Sequence, residues 1–342
     1  MRAFRLSLSA ILLGSASASA GTQPQSVPGV PPALTSFLHN DIVEPGDYQW
    51  LRGRFADATA VDKQVFFNAL EWNEKCEKQS RTAMKRLLAT MGQTFDPGKD
   101  VYARPAPCRQ FVQLPIPADV TWPAFSAALD RVRPYALGII RATALFEQQV
   151  IDQGDYAEQL RTRPLGEQTL RFAWVESQRH EGQTADYSSL ERIVYEGILL
   201  RALDDRDQGN TAWLSARVAE EGWPTRSKVG GEASSAAWLL VQHADANPAF
   251  QLTALRLMAP LASEDEVDPR NFAMLTDRVE LKLSGRQRYG TQWTCNRGHR
   301  VPLPLANTNV VTDALRAKAK LGSLKQNADQ IDTLYGPCPP AA

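Results

Sequence analysis

Beyond its first twenty residues the chain has no apolar run near a membrane-span length, no excess of either charge and only four cysteines. Each absence removes a class of function. A bilayer-spanning helix needs roughly 20 predominantly apolar residues, so no membrane span is expected. With Arg2 and Arg5 set aside, Lys+Arg falls from 38 to 36 against 38 Asp+Glu, a net charge of −2. That balance gives no long-range pull toward nucleic acid or anionic lipid. The sequence also has no G-x-S-x-G elbow, no H-E-x-x-H, no C-x-x-C, no catalytic-cysteine signature, no P-loop and no dinucleotide-binding glycine turn. Cys295-x3-His299 offers two metal ligands, but no second close pair completes a zinc site. Neither a metal nor another cofactor is therefore expected. Few stretches alternate with period two and no fixed repeat is visible, which argues against a β-rich fold or a solenoid.

The opening "MRAFRLSLSAILLGSASASA" has a basic start, a short apolar stretch over residues 6–13 and the small-residue site Ala18-Ser19-Ala20. That is the build of a cleavable signal peptide. It predicts a periplasmic or secreted protein cut after Ala20, and no cysteine follows the apolar stretch to take a lipid anchor. Four cysteines in an exported chain suggest two disulfides, for which three pairings exist. Sequence alone does not choose among them, although loop-closure entropy favours the neighbours Cys76–Cys108 and Cys295–Cys338.

About 320 residues remain after the signal, enough for one large or two modest domains at roughly 100–200 residues each. Residues 21–35 are rich in Pro and Gly and read as a linker. Apolar residues at helical spacing predict a long helix over 61–91. Thr121 ahead of Trp122-Pro123 marks the start of a second, reaching Gln153. Further helices are expected over 156–179, 188–203, 210–221, 232–244 and 248–261, then one beginning at Asp268-Pro269. The fold class is mainly α, a multi-helix, bundle-like domain with at most one short β element near 287–293. The expected divisions are signal peptide 1–20, linker 21–35, N-terminal helical region 36–183, motif-bearing helical domain 184–322 and C-terminal tail 323–342.

The motif-bearing region holds the candidate chemistry. His243 is the residue best suited to moving protons near neutral pH. Asp277-Arg278 places a carboxylate beside a guanidinium. Asp277 could hold the imidazole in one tautomer, and Arg278 could bind an anion. An ion pair between helices is the structural alternative. Asp245, two residues beyond His243, points away from it in a continuous helix and suits the turn before Asn247-Pro248. The run "GRQRYGTQW" over 285–293, if extended, sets Gln287, Tyr289, Thr291 and Trp293 on one face and Arg286, Arg288 and Gln292 on the other. Rings mixed with amide and hydroxyl groups suit a sugar, a peptide or another polar ligand. A turn whose amides satisfy loop backbone is the competing explanation. Gly290 implies a kink or a close approach.

"GWPTRSKVGGEASSAAWLLVQHADANPAFQ", then "LTDRV", then "QRYGTQ" follow one another in an order that resembles a bacterial family of unknown function. "LRALDDRDQGN" resembles the lead-in to the same family. The resemblance covers about 203–293, leaves 36–180 uncovered and brings no reaction with it. Trp223, Gln242 and Asp245, within these motifs, join the candidate substrate-binding residues. Two classes of function stay open. One is a metal-independent hydrolase or transferase with His243 as general base, Asp277 its orienter, Arg278 a charge stabiliser, and Gln287, Tyr289, Thr291 and Gln292 holding substrate. The other is a non-catalytic envelope module that binds a peptide, glycan or protein partner. In either case the partner is an unidentified small molecule or envelope component.

Overall fold

Thr59 opens the first long helix through a capping box. Its hydroxyl accepts from the Asp62 N–H at 3.2 Å, and the Asp62 carboxylate accepts from the Thr59 N–H at 3.0 Å. The computed structural model describes residues 28–95, 106–336 and 338, so the expected signal peptide and the start of the expected linker lie outside the described residues. Helix α1 runs Ala60–Thr90, α2 Trp122–Gln153 and α3 Tyr156–Gln178. The Thr121 hydroxyl caps α2 by accepting from the Ala124 N–H. Helix α4 spans Ser189–Glu221, α5 Arg226–Val229, α6 Gly231–His243, α7 Pro248–Leu261 and α8 Pro269–Ser284. Strands β1 (Trp293–Asn296) and β2 (His299–Pro302) precede α9 (Asn309–Lys318) and α10 (Leu324–Tyr335). The fold is mainly α, with one two-stranded sheet among the described residues.

Two details differ from the sequence reading. The expected helices over 188–203 and 210–221 are one helix, α4. The polar run "DDRDQG" between the two expected helices continues the helix, because Asp207 and Asn210 occupy positions on its inward stripe. The β element lies later than expected. Trp293 pairs with Pro302 and Asn296 with His299, antiparallel across a tight turn at Arg297 and Gly298. Residues 285–292 form a loop instead of a strand, for a reason given below.

Two apolar cores divide the packing. The first gathers Trp50, Leu51, Phe55, Trp72, Phe111, Phe125 and the α4 residues up to Leu203. The second gathers Leu160, Leu214, Trp223, Leu240, Met258 and Leu275. Long helices run through both: α1 gives Trp72 to the first and Leu88 to the second, and α4 gives Ile198 and Leu214. From its first described residues the chain already packs, with Leu34 fully buried and the Trp72 indole donating to the Pro28 carbonyl at 3.1 Å. Disulfides join Cys76 to Cys108 and Cys295 to Cys338, the pairing loop closure favours. Such bonds suit an oxidising, extracellular-type environment. No helix among the described residues is long and apolar enough to cross a membrane.

Candidate functional site

Helices α3, α4 and α6 meet where each carries a polar residue on its inward side. On α3 the buried positions include Leu160, Leu170 and Ala173, and Glu167 sits among them with no exposed surface. On α4, Leu203, Asp207, Asn210 and Leu214 follow at spacings of four, three and four, so one helical stripe holds them all. His243 ends α6 and keeps 15% of its side chain exposed. Its Nδ1 contacts Glu167 Oε1. One carboxylate oxygen each of Glu167 and Asp207 and one ring nitrogen of His243 lie within 4.8 Å of one another.

Burial dominates the electrostatics of this cluster. It pushes Glu167 up to about 6, with the Asp207 side chain and Arg171 pulling part of the way back. Asp207 is pushed up to about 8, again by burial, with Arg171 opposing and Glu167 reinforcing the shift. Burial and then Arg171 push His243 down to about 3. Near neutral pH the imidazole is therefore neutral and the two carboxyls keep a proton between them. Arg171, one turn after Glu167, donates from Nη2 to Asp207 Oδ2 at 2.8 Å. Glu167 Oε2 and Asp207 Oδ1 are buried with no hydrogen-bond partner among the described residues.

The residues singled out in the sequence fall into neighbouring networks. His243 has Glu167 as its hydrogen-bond partner rather than Asp277. Asp245 lies just past the end of α6 and takes Arg278 Nη1 at 2.7–2.8 Å and Lys282 Nζ at 2.9 Å. Burial alone would raise the Asp245 carboxyl, but Arg278 and Lys282 hold it well below the usual carboxylate range. Arg278 also donates to the Gln242 carbonyl, and the fully buried Lys282 donates to Gln251 Oε1. An ion-paired node thus joins α6, α7 and α8.

Asp277, fully buried, accepts from three backbone N–H groups: Arg288 and Tyr289 on Oδ1 at 2.8 and 2.7 Å, Thr291 on Oδ2 at 2.8 Å. Donors committed to Asp277 cannot enter a strand ladder, so 285–292 wraps the carboxylate as a loop. Gln287 is fully buried too. Its Nε2 donates to the carbonyls of Gln292 and Leu303, and its Oε1 accepts from the Gln292 N–H. The Gln292 amide reaches Thr291 Oγ1 at 3.2 Å. Tyr289 is half-buried, and its carbonyl accepts from the buried Arg316. Gly290 has φ +67°, and a Cβ there would strike Leu324, so both a kink and a close approach are present. Trp223 is 3% exposed and lines a cleft with Tyr156 and Lys228.

A separate cavity of about 200 Å³ lies between α4 and the segments around residues 43–50 and 109–115. Leu114, Ile193 and Leu200 give it an apolar wall, and Arg109, Arg201 and Asp204 supply charge. Burial pushes Asp204 up to about 6 against the pull of Arg109 and Arg201. Asp204 and Asp207 stand three residues apart on α4, the spacing of side-chain neighbours on one helix face, and Asp207 adds to the cost of ionising Asp204. Sequence reasoning missed Glu167, Arg171 and Asp207. The available signal is polar residues inside an apolar helical stripe, such as Asp207 and Asn210 between Leu203 and Leu214 on α4.

Fold and site together define a mainly α-helical, two-disulfide protein with a buried carboxylate–imidazole centre. Residues 196–337 match the model of a family described as a family of unknown function (DUF6624). The GWP, QHxD, DRV and QxYGTQ motifs all lie within the match, as do Asp207 and His243, whereas Glu167 lies before it. No curated protein and no solved structure matches the chain.

Proposed function

We propose that the chain is an exported hydrolase or transferase whose reaction centre is the Glu167–Asp207–His243 cluster. The cavity beside Asp204 is the substrate pocket in this reading. Export rests on the signal-like N-terminus and on two disulfides that suit an oxidising compartment. The single observation that carries the reading is the meeting of a neutral imidazole with the fully buried Glu167 and the partly buried Asp207 carboxyls, both of displaced pKa, one turn from a cavity. Such a group can take a proton from a water or substrate hydroxyl and return one to a leaving group.

Within this proposal the Glu167–Asp207 pair, at about 6 and 8, moves the proton, and the neutral His243 imidazole, in contact with Glu167, positions it in place of the Asp277 pairing expected from sequence. Arg278 acts at a distance through Asp245, and the 285–292 loop braces α8. The test is a hydrolase and transferase substrate screen on the purified chain, with His243→Ala and Asp207→Asn in parallel. Both variants are expected to lose at least a hundredfold in kcat/KM on any substrate found, in keeping with the usual contribution of a general acid or base, about 10²–10⁴-fold. Undiminished turnover by His243→Ala would refute the assignment. The binding-module alternative draws on the half-exposed Tyr289 and Gln292; a ligand captured equally well by wild type and His243→Ala, with no turnover by either, favours it.

A further inference from the structure

We propose that Glu167, Asp207 and His243 form a binding site for one divalent transition-metal cation. The inference rests on reading this cluster as the reaction centre, and it adds an ion to that reading. The first argument is geometric. Metal–ligand bonds of about 2.0–2.2 Å set donors around one ion roughly 3–4 Å apart, and the three donor atoms here already lie within 4.8 Å of one another. Small side-chain rotations bring them onto a common centre.

The second argument concerns two buried carboxylate oxygens that have no partner of hydrogen-bonding geometry among the described residues. Glu167 has no exposed surface, and its Oε2 has no partner of hydrogen-bonding geometry among the described residues. Asp207 Oδ1 is in the same condition. Burying an unpaired acceptor costs about 1–3 kcal/mol, and more for a charged group. The Asp207 carboxyl and the Asn210 and Gln168 side chains stand close enough to lower the cost of charging Glu167, but none meets Oε2 with hydrogen-bonding geometry among the described residues. A cation answers both oxygens at once.

The surroundings are those of a ligand set. Arg171 holds Asp207 through Oδ2 at 2.8 Å and leaves Oδ1 for the ion, the way outer partners orient ligating carboxylates. Of the other nearby cations, Arg278 is neutralised by Asp245. The donors come from three different helices, so an ion would tie α3, α4 and α6 together. Two carboxylates with one imidazole select against Mg²⁺ and Ca²⁺, which prefer all-oxygen shells, and favour Zn²⁺ or Mn²⁺. The partly exposed His243 edge gives an entry path.

The experiment is calorimetric titration of ZnCl₂ and MnCl₂ into the purified chain after chelator stripping. One ion per chain is expected. Glu167→Gln and Asp207→Asn should each weaken binding at least tenfold, and Asp329→Asn on the exposed face of α10 should bind as wild type. Circular dichroism in chelator checks that each variant is folded. Should a ligand variant fail to fold, pulsed electron paramagnetic resonance of Mn²⁺ on the wild-type chain must show an imidazole nitrogen coupling. The proposal is overturned by no stoichiometric binding of either ion, by binding that both carboxylate variants leave unchanged, or by Mn²⁺ without a nitrogen coupling. Binding without turnover on any substrate sinks the enzymatic reading and keeps the site. Turnover that depends on His243 and survives chelation does the reverse.

Discussion

At the scale of single residues, chemistry-bearing type was legible and partnership was not. His243 stood out as a lone histidine in a motif, but its partner Glu167 is 76 residues away in sequence. No local pattern connects them, since the pairing exists only once α3 packs against α6. Asp277 shows the converse. Its place beside Arg278 suggests a charge aimed at His243, and it meets instead three backbone N–H groups that replace water as its solvation shell. Its carboxyl is nonetheless raised, because burial outweighs the Tyr289 and Thr291 donors. We expect Asp277→Asn to cost about 2–4 kcal/mol, since one side-chain oxygen becomes an NH₂ facing a backbone N–H and a charge-assisted bond is lost. Urea denaturation at neutral pH measures this. A cost below 0.5 kcal/mol would mean that the loop carries its own stability.

At the scale of elements, helical periodicity located the start of every helix from α1 to α4, and the caps Thr59, Thr121, Asp155 and Ser188 explain why. What periodicity hid was the continuity of α4. An apolar stripe interrupted by Asp207 and Asn210 looks like two helices, because polar residues are expected to face solvent, and here a polar cluster occupies the inward side. Gly209 in that stretch is exposed, and a Cβ there would meet nothing within 4 Å. Gly209→Ala should therefore stabilise the protein by about 0.5–1 kcal/mol through helix propensity alone. Gly53 is the opposite case. A Cβ there would overlap the Asp62 carbonyl and crowd Phe66, where the Gln49–Arg54 turn packs on the start of α1. Gly53→Ala should cost at least about 1–3 kcal/mol, the usual overpacking range. Thermal melts of the two variants should move in opposite directions, and a shared direction would contradict this account of where the helices touch.

At the scale of the whole molecule, the family match and the physical centre have different boundaries. The match begins inside α4, whereas the centre needs Glu167 from α3. A fragment starting at residue 196 would keep Asp207 and His243 and lose their buried carboxylate neighbour. The disulfides divide the molecule in another way. Cys76–Cys108 closes a separation of 32 residues inside the first core, and Cys295–Cys338 closes 43 residues around the hairpin, α9 and α10. Chain entropy gives each about 3–4 kcal/mol, but the consequences of removal should differ in place. The C-terminal segment is held by the Asp277 loop, by Arg316 and by the Arg300–Asp332 ion pair, and it contributes nothing to the cluster on α3, α4 and α6. Replacing Cys295 and Cys338 by serine should therefore speed amide hydrogen exchange over 293–335 and leave protection in α3, α4 and α6 unchanged. Replacing Cys76 and Cys108 should lower the global melting temperature and speed exchange throughout the first core. Uniform loss of protection in both double variants would show that the two disulfides guard one cooperative unit.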